Sequence, residues 1–183
     1  MRITKLGHCC LVVEITPLPA APTTPPRGLG TPPRAGGDGG TPLVRGDKPV
    51  RIMTDPGAWS TRQNEEKGID YIFITHEHQD HFHIESLKKV LANNPKAKVI
   101  TNKGVGKLLD VEHIPYELLE HGSSMELSLN RPRGAVGRTP DGTSSRGVLG
   151  GVRVEGHGEK HAVIYKEFGQ VQNTGYFFAD RLF

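Results

Sequence analysis

Ten residues, Ile74 to His83, read ITHEHQDHFH. Four histidines and two acids fall within positions 76–83, directly after the apolar run YIFI. His76 and His78 are two apart, and in an extended segment leaving a strand such neighbours project to one side. Two imidazoles so placed can hold one borderline-soft divalent ion such as Zn2+. Asp80 and His81 follow as the chain turns. They can hold a second ion or orient a water on the first. A structural zinc site normally closes all four positions with protein ligands, often cysteines. A cluster of His and Asp points instead to an open, hydrolytic site. There the ion lowers the pKa of a bound water to about 7 and stabilises a developing oxyanion. The bland reading is a polar surface loop, and the strand before the cluster and the helix pattern after it weigh against that.

Other residues are weighed against structural roles. His157, between glycines in EGHGEKH, is expected as a further ligand, with His161 as the fallback because loop position decides reach. Asp55 precedes Pro-Gly, where turn chemistry competes with a role in holding the histidine loop. His8 is either a pocket residue or an edge histidine. His83, His113 and His121 read as surface or packing residues. Glu77 alternates with the ligands and so points away from them. Lys103 and Lys107 in NKGVGKLL lack the glycine spacing of a phosphate-binding loop.

The elements that must position these groups are legible between two odd segments. Residues 17–49 hold nine of the fourteen prolines, and residues 123–150 are similar but milder. Such stretches bury too little apolar surface to offset their ordering entropy, so both read as extended, mobile insertions. Around them, RITKLGHCCLVVEI, VRIMTDPG and IDYIFIT read as strands, the last apolar enough to be buried on both faces. IESLKKVLANNP places Ile84, Leu87 and Leu91 at helical spacing, with Asn-Asn-Pro as the stop. KAKVITN reads as a strand, GVGKLLDVEH as a short helix and PYELLEH as a strand. VRVEGHG, HAVIYKEFG and TGYFFADRLF read as three more strands. The order is not a clean alternation of strand and helix, so a mixed sheet with outer helices is expected.

Composition narrows the class. The net charge is +3, but each of the two segments carries two more basic than acidic residues, leaving the remainder at −1. The basic pI of 8.9 therefore belongs to the insertions, which argues against a nucleic-acid surface. No apolar run nears the ~20 residues that cross a bilayer, and the N-terminus lacks the pattern of a signal peptide. Cys9 and Cys10 are adjacent, so a bond between them is not expected. They read as inert buried thiols of a reducing, cytoplasmic compartment.

THEHQDH resembles the T-H-x-H-x-D-H signature of the metallo-β-lactamase fold superfamily. LGHCCLVVE, TDPG and VEGHG followed by NTGYFF resemble its L-ascorbate-6-phosphate lactonase-like branch. The resemblance implies an α/β, four-layer αββα sandwich. It implies that His76, His78 and His157 bind a first metal, that Asp80 and His81 contribute to a second, and that Asp55 holds the histidine loop. His8 would lie at the pocket rim. A bridging Gly-Asp is due near Phe183 in that family, and Asp180 does not match it. The expectation is thus a single, incomplete domain over 1–183 that carries mainly the N-terminal half of the fold.

The function expected is a metal-dependent hydrolase acting on an ester, lactone, amide or phosphodiester. One or two Zn2+ ions are expected, with Mn2+ as the alternative, and Asp80 would orient or deprotonate the water. The substrate would be a small molecule, and oligomeric state is left open. Two competing readings are a non-catalytic metal-binding or interaction protein with an incomplete site, and a metallonuclease.

Overall fold

The computed structural model describes residues 1–16, 49–127, 152–163, 169–178 and 181–182. Of the expected insertions at 17–49 and 123–150, residues 17–48 and 128–150 lie outside the described residues, as do the middle of the expected strand HAVIYKEFG and Asp180.

Arg2–Lys5 (β1) and Leu11–Ile15 (β2) form an antiparallel pair, so the stretch expected as one strand is a hairpin. The chain turns at Leu6–Cys10, where the Leu6 amide donates to the Cys10 carbonyl at 2.9 Å. Gly7 sits against Ser60 in that turn, and a Cβ there would lie 2.2 Å from the Ser60 hydroxyl. Val50–Thr54 (β3) pairs antiparallel with β2. A 3-10 turn at Arg62–Glu65 leads to Tyr71–Ile74 (β4), which pairs parallel with β3. Helix Ile84–Asn93 (α1) carries the chain to Lys98–Thr101 (β5), and helix Lys103–Val111 (α2) to Tyr116–Leu118 (β6). Both added strands pair parallel, giving a six-stranded mixed sheet in the order β1-β2-β3-β4-β5-β6.

The helices end where their sequences stop them. Asn94 follows α1, and its side-chain amide donates to Val90 O at 2.8 Å and to Glu66 O at 2.9 Å. Asn102 caps α2, its Oδ1 accepting from the Val105 amide at 3.1 Å.

Ser124–Leu127 (β7), Val152–His157 (β8), Gly175–Phe178 (β9) and Arg181–Leu182 (β10) form a second, antiparallel sheet ordered β10-β9-β8-β7. β7 falls inside the stretch read as an insertion. Its Met125 and Leu127 alternate with polar residues, and Leu127 is fully buried against the second sheet's Val152 and Val154. That pattern spans only four residues, too few to stand out beside the Arg- and Gly-rich sequence that follows.

Two apolar layers flank the first sheet, because its central strands alternate. Ile72 and Ile74 of β4 pack with Leu87, Val90 and Leu109 of the helices. Tyr71 and Phe73 pack with Val154, Tyr176 and Phe178 of the second sheet. The Phe73 ring meets Tyr176 at 4.9 Å and Phe178 at 4.8 Å, both edge-on. The result is helix, sheet, sheet, as expected of a metallo-β-lactamase-like α/β fold. The ends of β3, β4 and β5 lie side by side, the place where parallel sheets bind ligands.

Candidate metal centre

The histidine loop leaves β4 from an anchored end. The Ile74 carbonyl accepts from Thr101 Oγ1 at 2.9 Å and Tyr176 OH at 3.0 Å. The Thr75 carbonyl accepts from Asn102 Nδ2 at 2.7 Å and the Thr174 amide at 3.0 Å. Each sheet thus fixes the residue before His76. Beyond it, the amides of His81 and Phe82 both donate to the His78 carbonyl, and buried Phe82 pins the turn.

Asp55 ends β3 with φ at 45°, a left-handed conformation that Asp tolerates better than most residues. Its carboxylate accepts from the Thr75 amide at 2.8 Å, the Thr75 hydroxyl at 3.0 Å and His81 Nδ1 at 2.9 Å. Two residues on, Gly57 lies so close to the loop that a Cβ would sit 1.9 Å from the Asp80 carbonyl. The Pro-Gly after Asp55 therefore does more than turn the chain: it lets the Asp80 backbone come down onto β3.

These contacts fix which imidazole nitrogens are bare. The single hydroxyl hydrogen of Thr75 goes to Asp55, so Thr75 Oγ1 accepts from His76 Nδ1 at 2.9 Å. His76 Nε2 is then a lone pair; it is buried and has no hydrogen-bond partner among the described residues. His161 Nδ1 lies 2.8 Å from the Ala162 carbonyl, which can only accept, so its Nε2 is bare as well. His81 gives its Nδ1 hydrogen to Asp55, which turns its Nε2 toward Asp80 Oδ2 at 3.4 Å.

His76, His78 and His161 each bring a ring nitrogen to one point, all within 4.8 Å of one another. Their rings stand 4.6 to 4.8 Å apart, and the His81 ring lies 4.0 Å from that of His76. Three convergent imidazoles, one with an unpartnered buried nitrogen, fit a borderline-soft divalent ion. A second group adjoins them. Asp80 Oδ2 lies 3.5 Å from His8 Nε2 and 3.9 Å from Cys9 Sγ, and Cys9 Sγ lies 3.3 Å from His81 Nε2.

Burial, then the neighbouring His81, His161 and His78, hold the His76 imidazole down to about 3. Burial pulls His81 down too, but the hydrogen bond and charge of Asp55 and the charge of Asp80 outweigh it and hold its pKa above the usual value. Burial pushes the Asp55 carboxyl up, against the pull of His81 and Thr75. Burial and then Asp80 push the Cys9 thiol up to about 11.

The third imidazole in this group is His161, not His157. Val152, Val154 and Gly156 point inward from β8, so His157 shares the outer face with Arg153 and Glu155. Its Nε2 pairs with Glu155 at 3.4 Å, and its ring neighbours are His121 and Phe177. The alternation V-x-V-x-G carried that signal in the sequence. His161 arrives on the following loop, where its amide donates to the Val171 carbonyl at 2.9 Å and Lys160 bridges Gln172. His8, expected at a pocket rim, is half exposed, its ring 5.0 Å from exposed Trp59. Cys10 is a fully buried core thiol, as read, whereas Cys9 faces the site. His83 hydrogen-bonds Ser86 at the start of α1, and His113 and His121 are exposed. Among the described residues no helix is long and apolar enough to cross a membrane.

The chain is 25% identical over 180 residues to Protein Rv0786c of Mycobacterium tuberculosis. That alignment covers 98% of this chain and 58% of the relative, so the chain spans little more than half the relative's length. A solved structure from Parabacteroides distasonis, a protein provisionally named a metal-dependent hydrolase, superposes with a TM-score of 0.47 at 17% identity, covering 72% of this chain and 49% of that one. The model of the beta-lactamase superfamily domain matches residues 41–181, which hold the whole histidine loop and β7, β8 and β9 of the second sheet; the chain belongs to that family.

Proposed function

We propose that the chain is a metal-dependent hydrolase whose principal cation is held by His76, His78 and His161. The observation that carries this reading is the buried, unpartnered Nε2 of His76 facing two further ring nitrogens. An unsatisfied buried polar atom costs about 1–3 kcal/mol, and a cation is the partner that three lone pairs share. When bound, a zinc-class ion supplies Lewis acidity and a water acidic enough to attack a carbonyl or phosphoryl centre near neutral pH.

The chain's own groups supply the rest. Thr75 and Asp55 hold His76 and His81 in the tautomers that keep their Nε2 atoms bare. Asp80 Oδ2 sits beside the bare Nε2 of His81 and is the group placed to take the proton of an attacking water. His8 and Trp59 line the open side and are placed to meet the substrate. The class of substrate that fits this chemistry is a small ester, lactone, amide or phosphodiester, and the net charge of −1 outside the two insertions disfavours nucleic acid.

Titration of the full chain with zinc, beside turnover of generic esters, lactones and phosphodiesters, tests the reading. The expected result is near-stoichiometric zinc and measurable hydrolysis of at least one class. His76→Ala with His78→Ala should abolish both while circular dichroism persists. Full zinc occupancy in that double variant would falsify the assignment, and stoichiometric zinc without turnover of any class would leave a binding protein in its place.

A further inference from the structure

His161 reaches the centre on a short ribbon with little apolar burial to hold it. Its amide donates to the Val171 carbonyl at 2.9 Å, and the Asn173 amide donates to the Glu159 carbonyl at 3.3 Å. Lys160 pairs with Gln172 between these two bonds. Residues 157–160, 162–163 and 169–170 are exposed. A two-stranded ribbon of this kind is marginal in water on its own. Its seating against the first layer therefore rests on polar contacts.

Gln172 makes two of them. Its side chain enters the first turn of α2, where the Gly104 amide has no partner within the helix. That amide can only donate, so the Gln172 atom facing it at 3.1 Å is the carbonyl Oε1. The other end, Nε2, then donates to Glu120 Oε2 at 2.6 Å. Glu120, just past β6, accepts the Lys103 amide at 2.9 Å with its other oxygen. Asn102 takes the Val105 amide. Three side chains thus fill the first three amides of α2, and of these Gln172 alone lies beyond β8 in the chain. The charge of Glu120 beside a helix N-terminus strengthens these bonds.

We infer that Gln172 is a positioning residue for the principal cation. It ties the ribbon to α2 and Glu120, and so sets where His161 stands relative to His76 and His78. This rests on the reading that those three histidines hold that cation. Lys160, the backbone partner of Gln172, is the residue before His161, so a shift of Gln172 passes to His161 through the ribbon pairing. The place needs an acceptor and a donor on one side chain. Glutamate there would set two carboxylates against each other, and alanine would strip the Gly104 amide and Glu120 of a partner. Exchanging the two side chains keeps every bond: an amide at position 120 accepts from Lys103 and donates to a carboxylate at position 172, which accepts from Gly104.

Zinc affinity of the full chain, measured by competition with a chromophoric chelator, tests this in a double-variant cycle. Gln172→Ala should loosen zinc about tenfold or more while far-ultraviolet circular dichroism is unchanged. In the His161→Ala background the positioned ligand is gone, and the same change should cost no more than about twofold. Gln172→Glu, close to the native size, should weaken zinc as Gln172→Ala does. Adding Glu120→Gln to it should restore affinity to within about twofold of the wild type. A residue that only supported the fold would weaken zinc by one factor with and without His161. That result, unchanged affinity in Gln172→Ala, or an exchanged pair as weak as Gln172→Glu overturns the role of Gln172 and leaves the histidine assignment standing. Zinc affinity untouched by His161→Ala overturns both.

Discussion

Asp55 decides the geometry of the centre although it stands behind the histidines. One buried carboxylate takes the Thr75 amide, the Thr75 hydroxyl and His81 Nδ1, and through Thr75 it also sets His76. Asp55→Asn retains the shape and the left-handed backbone but cannot keep every one of these donors. Zinc affinity measured by calorimetry should fall about 10- to 100-fold, the usual cost of losing such an outer partner, while the far-ultraviolet circular dichroism stays unchanged. Unaltered affinity would mean that the histidines are oriented by their own packing. The part of the centre legible in the sequence is the part that is local. His76, His78, Asp80 and His81 lie on six consecutive residues, so spacing alone brings them together. His161 lies 80 residues after His81 and Cys9 72 before it, and only the loop pairing at Val171 and the turn at Gly7 bring them in. Spacing holds no information about either. For His157 the information was present in the alternation of β8, and its position beside a glycine outweighed it.

At the level of elements, the strand that carries the loop is clamped from both sheets. Tyr176 of β9 reaches across the layer to donate to the Ile74 carbonyl, and burial, with the charge of Asp55, pushes its phenol far up. The folded pKa therefore lies above the unfolded value of about 10. A group shifted in that direction contributes stability that is complete below the unfolded pKa and is lost as pH rises through and beyond it. Urea midpoints of the cation-free chain should therefore hold steady from neutral pH to about pH 9 and fall above pH 10. Tyr176→Phe should flatten the part of that fall due to Tyr176, at a cost near neutral pH of about 1 kcal/mol for the lost hydrogen bond, because Thr101 still donates to the same carbonyl. A wild-type and a variant profile of equal slope would show that the phenol ionises without unfolding. The elements themselves were readable wherever burial had a period. β4 announced burial on both faces by having no polar residue, and α1 by its spacing. β7 did not, because four residues beside a polar stretch carry too little pattern, and the β1–β2 hairpin did not, because a glycine and two cysteines read as strand.

Across the whole molecule, the centre is a joint between layers. His76 and His78 leave the first sheet, while His161 lies four residues beyond the end of β8 in the second. A cation held by all three links the two sheets outside their shared apolar core, so binding should be felt as global stability. Free zinc at one hundred times its dissociation constant adds about 2.7 kcal/mol to a fold that binds it only when native. For a chain of this size that is a rise of roughly 5–10 °C in the melting temperature. His161→Ala should lose most of this rise, since it removes the one ligand contributed by the second sheet. His157→Ala, on the outer face of β8, should keep it. Melting curves of the three proteins with and without zinc separate the cases. A zinc-dependent rise that survives His161→Ala and disappears in His157→Ala would return the ligand to β8 and require a different path for the loop after Gly158.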